Sequence, residues 1–193
     1  ITSNVDLINN FIPPFGGAGV VIIADDTNNL IDETSPFAGL VAGDGSDRIE
    51  GQGGNDLLNG AFGGDDTLVG GTGKDLLLGL SDNDTLYGDT ETSSAVGDAD
   101  GLYGGAGNDS LYGGDGNDTI EIADNDTVYG GLGSNTYYNN SSSNITLFII
   151  SNDSSPVTET IWSFNARPSS GKYEKIDLTA LGTNLTLNLK QQG

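Results

Sequence analysis

Residues 104–121 read GGAGNDSLYGGDGNDTIE, two nine-residue units laid end to end. Each follows Gly-Gly-x-Gly-x-Asp-x-U-x, where U is a large aliphatic residue, and Gly70–Leu78 (GGTGKDLLL) is a third clean copy. Looser copies keep the frame at residues 42–50 (AGDGSDRIE), 51–59 (GQGGNDLLN), 79–87 (GLSDNDTLY) and 130–138 (GGLGSNTYY). Three units depart in length: 60–69 is one residue longer, 88–103 seven longer, and 122–129 one shorter. Such insertions belong on loops at the rim of a solenoid.

Two columns agree on this register. The sixth position reads Asp47, Asp56, Asp66, Asp75, Asp84, Asp100, Asp109, Asp118, Asp126 and Asn135, so nine of ten are carboxylates. The eighth reads Ile49, Leu58, Leu68, Leu77, Leu86, Leu102, Leu111, Ile120, Val128 and Tyr137, all apolar. A period of nine suits neither a helix nor a long strand. A six-residue glycine turn followed by a three-residue strand, its middle side chain pointing inward, does fit. The expected fold is all-β: a right-handed parallel β-roll or β-solenoid of nonapeptide repeats with N- and C-terminal β caps.

Composition narrows the function classes. Among 193 residues there are 28 acidic and 6 basic side chains, a formal charge of −22, which argues against binding nucleic acid by phosphate neutralisation. With no His, Cys or Met there are no imidazole bases, thiol nucleophiles, disulfides or zinc sites of the usual N/S kind. Glycine is enriched at 31 residues while proline is only 5, so the bias is neither collagen-like nor a proline-rich linker. The longest apolar runs, such as Gly19–Ala24, are far short of the ~20 residues that span a bilayer. The first basic residue is Arg48, so no cleavable leader is expected, and the absence of Met at position 1 points to a processed or excerpted chain.

The in-frame units resemble the calcium-binding nonapeptide of RTX proteins, whose signature is this Gly-Gly repeat. The resemblance covers residues 42–138, about half of the chain. It implies a β-roll in which nine residues make half a coil, so that the loops stack in two rows on opposite edges. Row one would hold Asp47, Asp66, Asp84, Asp109 and Asp126; row two Asp56, Asp75, Asp100, Asp118 and Asn135. The insertion before Asp100 is placed to disturb its row, and the uncharged Asn135 makes a weaker or absent site at its end.

Elementary electrostatics leads to the same ion. Coils in a parallel ladder lie roughly 4.8 Å apart. Two unit charges at that distance repel by about 3.5 kcal/mol at an effective dielectric near 20, and by about 0.9 kcal/mol in water. Each coil buries only about two aliphatic side chains, on the order of 3 to 6 kcal/mol, against the ordering of about eighteen residues. A divalent cation between stacked loops removes the repulsion and supplies the missing free energy. The donors on offer are oxygens: the sixth-position Asp47, Asp56, Asp66, Asp75, Asp84, Asp100, Asp109, Asp118 and Asp126, and carbonyls at Gly43, Gly45, Gly51, Gly53, Gly71, Gly73, Gly105, Gly107, Gly114, Gly116, Gly131 and Gly133. Calcium, with 6 to 8 oxygen ligands, suits that set better than magnesium or a transition metal. Four gaps per row give roughly eight Ca2+ ions, with folding and binding one equilibrium. A generic acidic solenoid with solvated Asp would show part of the same pattern.

The expected domains are residues 1–41, an N-terminal cap with ion-free coils; 42–138, the calcium-binding roll; and 139–193, a C-terminal capping segment of secretion type. Upstream, Val5–Ile12 and Val20–Ile23 read as short strands, while Ile31 and Leu40 keep the inward position with Asn29 and Ala38 in place of Asp. The alternative for Gly19–Ala24 is a docking edge for a further molecule. Downstream, Ile145–Ile150, Thr160–Phe164 and Leu185–Leu189 are strand candidates. Ile161–Gly182 resembles the segment that closes many RTX rolls, although Ser163 stands before Phe164 where that segment has Asp; Asp177 is the remaining acidic candidate there. In that family the region also serves type I secretion, which implies a secreted, extracellular or cell-surface bacterial protein.

The outward ninth position runs Val69, Tyr87, Tyr112, Tyr129 on consecutive coils, either tyrosines suited to exposed strands or a packing and adhesion stripe. Beside it Thr67, Thr85, Ser110 and Thr127 form a hydroxyl ladder; the opposite row has Leu57, Leu76 and Gly101, which disfavours ice or mineral binding. Neither HExxH nor GxSxG occurs, and no enzyme activity is expected in these residues. The leading expectation is a calcium-binding structural protein that folds on secretion and self-associates into a filament or a layer on a cell surface. The alternative is the export and folding module of a larger secreted hydrolase, toxin or adhesin.

Overall fold

A computed structural model describes residues 20–23, 30–32, 38–42, 45–90, 97–123, 125–140, 145–148, 157–162, 174–177 and 185–190. The expected strand Val5–Ile12, the loop glycine Gly43, and Asn29 and Phe164 lie outside them. Among the described residues every regular element is a strand. Among the described residues no helix is long and apolar enough to cross a membrane.

Successive strands alternate between two parallel sheets, as a turn after every three-residue strand requires. One sheet stacks β1 (Val20–Ile23), β3 (Ala38–Val41), β5 (Leu57–Asn59), β7 (Leu76–Ser81), β9 (Gly101–Ala106), β11 (Thr119–Ile122), β13 (Thr136–Asn139), β15 (Val157–Trp162) and β17 (Leu185–Lys190) in that order. The other stacks β2 (Leu30–Asp32), β4 (Arg48–Glu50), β6 (Thr67–Val69), β8 (Thr85–Tyr87), β10 (Ser110–Tyr112), β12 (Thr127–Tyr129), β14 (Ile145–Phe148) and β16 (Glu174–Asp177). The chain is a parallel β-roll.

The inward column sets the register. Ile49, Leu68, Leu86, Leu111 and Val128 are directly stacked in one sheet, and Leu58, Leu77, Leu102, Ile120, Tyr137 and Ile161 in the other. All of these are 0% exposed, so the core is a thin seam between two sheets. The upstream residues expected to keep the frame do so in backbone register, Ile31 opposite Ile49 and Leu40 opposite Leu58. The ladders also run on past residue 138, with β12 paired to β14 and β13 to β15. Strand β16 lies within the segment 161–182 and adds a strand to the expected Thr160–Phe164.

Outside, the ninth-position file forms as a stack. Tyr87 and Tyr112 lie 4.7 Å apart between ring centroids at 11°, and Tyr112 and Tyr129 4.8 Å apart at 1°. Those separations are the coil spacing itself.

Candidate metal centre

The loops explain the glycines. At the second position Gly71, Gly105, Gly114 and Gly131 have φ between 89° and 108°, and at the fourth Gly73, Gly116 and Gly133 lie between 99° and 141°. This left-handed region is closed to most L-residues and open to glycine. The turn is imposed regardless of residue: Gln52, Ala61 and Leu80 take it at the second position and Asp82 at the fourth, at φ 64°, 70°, 82° and 73°. Close stacking adds a second reason, since a Cβ on Gly73 would run into the carbonyl of Gly54 one coil away.

The sixth-position side chains form two files. In row one the backbone N–H of Asp47 donates to Oδ1 of Asp66 at 2.8 Å, Asp66 to Asp84 at 2.8 Å, Asp84 to Asp109 at 2.8 Å, and Asp109 to Asp126 at 3.0 Å. In row two Asp56 donates to Asp75 at 2.7 Å, Asp75 to Asp100 at 2.8 Å, Asp100 to Asp118 at 2.9 Å, and Asp118 to Asn135 at 2.9 Å. Contrary to the expected disturbance, Asp100 stays in its file, taking the N–H of Asp75 on Oδ1 and donating its own N–H to Asp118. All nine carboxylates are between 0% and 4% exposed.

In Asp66, Asp75, Asp84, Asp100, Asp109, Asp118 and Asp126 one carboxylate oxygen, Oδ1, is thus served by a backbone donor. The other, Oδ2, is buried and accepts no hydrogen bond in Asp47, Asp56, Asp66, Asp75, Asp84, Asp100, Asp109 and Asp118. Asp126 differs, since in its shortened unit Oδ2 accepts the N–H of Ala123 at 2.7 Å. Where a unit from 51 to 121 begins with glycine, that glycine seats this oxygen: a Cβ on Gly70 would meet both Oδ2 of Asp75 and the carbonyl oxygen of Gly88 on the next coil. The same pair of oxygens flanks Gly51, Gly60, Gly79, Gly88 and Gly113.

Burial without a second donor raises the carboxyl pKa values. Asp66, Asp75 and Asp118 are pushed up from 3.8 to about 7, and Asp84 and Asp100 to about 8. Desolvation is the main cause; the backbone hydrogen bond opposes it and neighbouring carboxylates add to it. Asp109 is raised by the same burial.

These residues fit a hard divalent cation. The surplus oxygens are anionic, buried and close to backbone carbonyls, which is the donor chemistry calcium takes. Among the described residues no three acidic side chains converge on one point, so carboxylates alone would not close a coordination shell. Loop carbonyls would have to complete it.

Comparison with known proteins bears on this donor set. The RTX calcium-binding nonapeptide repeat matches in four copies, at residues 40–65, 61–91, 95–121 and 123–144, together just over half of the chain. The chain belongs to the RTX calcium-binding repeat family. RTX repeats bind calcium and are typical of secreted bacterial proteins. No curated protein and no solved structure matches the chain.

Several placements within the RTX loops were not read from sequence. Gly54, at φ 126°, takes the left-handed fourth position of its unit, whereas Gly53 sits at the third and bridges to Thr72. Glu159 lies in the sixth-position slot after Asn135, since β15 pairs with Thr136 opposite Thr160. The triplet Glu159-Thr160-Ile161 repeats the Asp-Thr-aliphatic pattern of Asp118-Thr119-Ile120, which is the signal that could have found it. The fifth position also forms a ladder: the N–H of Asn83 donates to Oδ1 of Asp65 at 2.9 Å, and that of Asn108 to Oδ1 of Asn83 at 3.0 Å. Asp177 ends β16.

Proposed function

We propose that the chain is a non-catalytic, extracellular RTX roll whose coils close only when calcium neutralises the two carboxylate files, making it a rod that self-associates into a filament or surface layer. The observation that carries this reading is the buried Oδ2 of Asp66, Asp75, Asp84, Asp100, Asp109 and Asp118, each without a protein donor. Bound calcium would supply the positive charge and oxygen coordination that these atoms lack. The chain's own part is to hold Oδ1 on a backbone N–H, which fixes the carboxylate, and to seat Oδ2 against a first-position glycine. Roughly eight ions, one per gap, follow from two rows of five loops.

Such a chain stays unfolded where calcium is scarce and coils where it is abundant, which suits export followed by folding outside the cell. The stacked file Tyr87, Tyr112 and Tyr129 supports lateral association through an uncharged stripe on an acidic rod. The test is β-type circular dichroism and electron microscopy with calcium and with chelator. Calcium should bring the β signal and ordered polymers. A folded chain after chelation at or above neutral pH would overturn the coupling, and monodisperse particles in calcium would overturn the assembly and favour an export module.

A further inference from the structure

The second carboxylate file ends differently from the way it runs. Asn135 occupies the sixth position, and its Oδ1 accepts the N–H of Asp118 at 2.9 Å as the carboxylates before it do for their neighbours. On the next coil stands Glu159, whose side chain is 0% exposed. Its Oε2 accepts the backbone N–H of Asn135 at 3.1 Å, and its Oε1 accepts Nδ2 of the same Asn135 at a longer 3.4 Å. Upstream, from Asp75 to Asp118, one oxygen of each carboxylate has a backbone donor and the other has none. Glu159 has a donor for each oxygen, because Asn135 brings amide hydrogens that an aspartate lacks. The extra methylene of Glu gives it the reach to take both. Tyr137 packs its ring into the core of the same coil, with its hydroxyl beside Gly130, where the upstream units seat Oδ2.

We propose that Asn135 and Glu159 form a metal-free lock: the amide stands where upstream coils need a cation, so the coil carrying Glu159 closes onto the roll without an ion. This rests on the calcium reading of the upstream files. Two buried carboxylates facing across a coil step need positive charge between them, whereas an amide against one carboxylate does not. Asn135 therefore sets where the second file stops being an ion file.

The test counts calcium bound per full chain by equilibrium dialysis, with the calcium midpoint of the β signal, for wild type, Asn135→Asp and Glu159→Gln. Asn135→Asp should bind at least one more ion than wild type and need more calcium to fold. Glu159→Gln should bind the wild-type number. A folded Asn135→Asp with the wild-type count, or a Glu159→Gln that loses an ion, overturns the lock; should Asn135→Asp not fold, Glu159→Gln decides alone. A wild type that binds no calcium overturns the calcium reading and the lock together, whereas loss of an ion from Glu159→Gln in a loaded background overturns the lock only.

Discussion

Freed of calcium, the roll should be stabilised by acid, opposite to a protein held by ion-paired carboxylates. Asp66, Asp75 and Asp118 titrate near 7 in the folded chain, and Asp84 and Asp100 near 8, against 3.8 for an unhindered carboxyl. A group raised on folding contributes stability that is complete below its unfolded pKa, here about 4, and lost as pH climbs through the folded value. One carboxyl moved from 3.8 to about 7 loses roughly 4 kcal/mol between those limits. If relaxation and water entry leave only a quarter of that, five such groups still remove about 5 kcal/mol, the whole stability of a marginal domain. The assay is urea unfolding followed by circular dichroism in calcium-free buffer, from about pH 4 to about pH 8. The metal-free chain should be more stable at the acid end and unfold towards the alkaline end, and calcium should reverse the order. Equal metal-free stability at both ends would refute the claim that buried, unserved carboxylates oppose folding.

Other substitutions separate the contributions. Asp109→Asn keeps an acceptor for the N–H of Asp84, now 2.8 Å from Oδ1, and removes the charge. It should raise stability without calcium at mildly acid pH, where the metal-free roll still folds, by about 1 to 3 kcal/mol and weaken calcium binding, so its effect on urea midpoints changes sign when calcium is added. Gly73→Ala adds a left-handed penalty to a collision with the Gly54 carbonyl and should cost more than about 2 kcal/mol. Gly53→Ala meets only the rotatable Thr72 hydroxyl and should stay within about 1 kcal/mol by the same urea titration. Leu80→Gly relieves a φ of 82° and should stabilise the calcium-loaded chain by about 0.5 to 1 kcal/mol, read as a rise in melting temperature.

The fold was legible because period nine assigns one role to each column. An Asp every nine residues and an aliphatic two places on are enough to fix which side chains line the edge and which fill the seam. The two rows of Asp47 through Asp126 and Asp56 through Asn135 followed from the half-coil geometry that the RTX resemblance implies. What escaped were contacts between coils. Nothing local marks Gly70 as the residue that seats Oδ2 of Asp75, because that close approach exists only once the loop has turned. Glu159 was hidden by its distance of 24 residues from Asn135 and by the loss of the glycine signature after residue 138. The change in composition there leaves the strand ladder running. The shortened unit before Asp126 read as a change in length only; that it turns Oδ2 back onto Ala123 needed the backbone.

The most direct measurement is a calcium anomalous-scattering map of crystals grown with the ion. Peaks should lie between successive coils beside Asp66, Asp84 and Asp109 in one file and Asp75, Asp100 and Asp118 in the other, with none between Asn135 and Glu159. Well-ordered coils with no peak along either file would contradict the account.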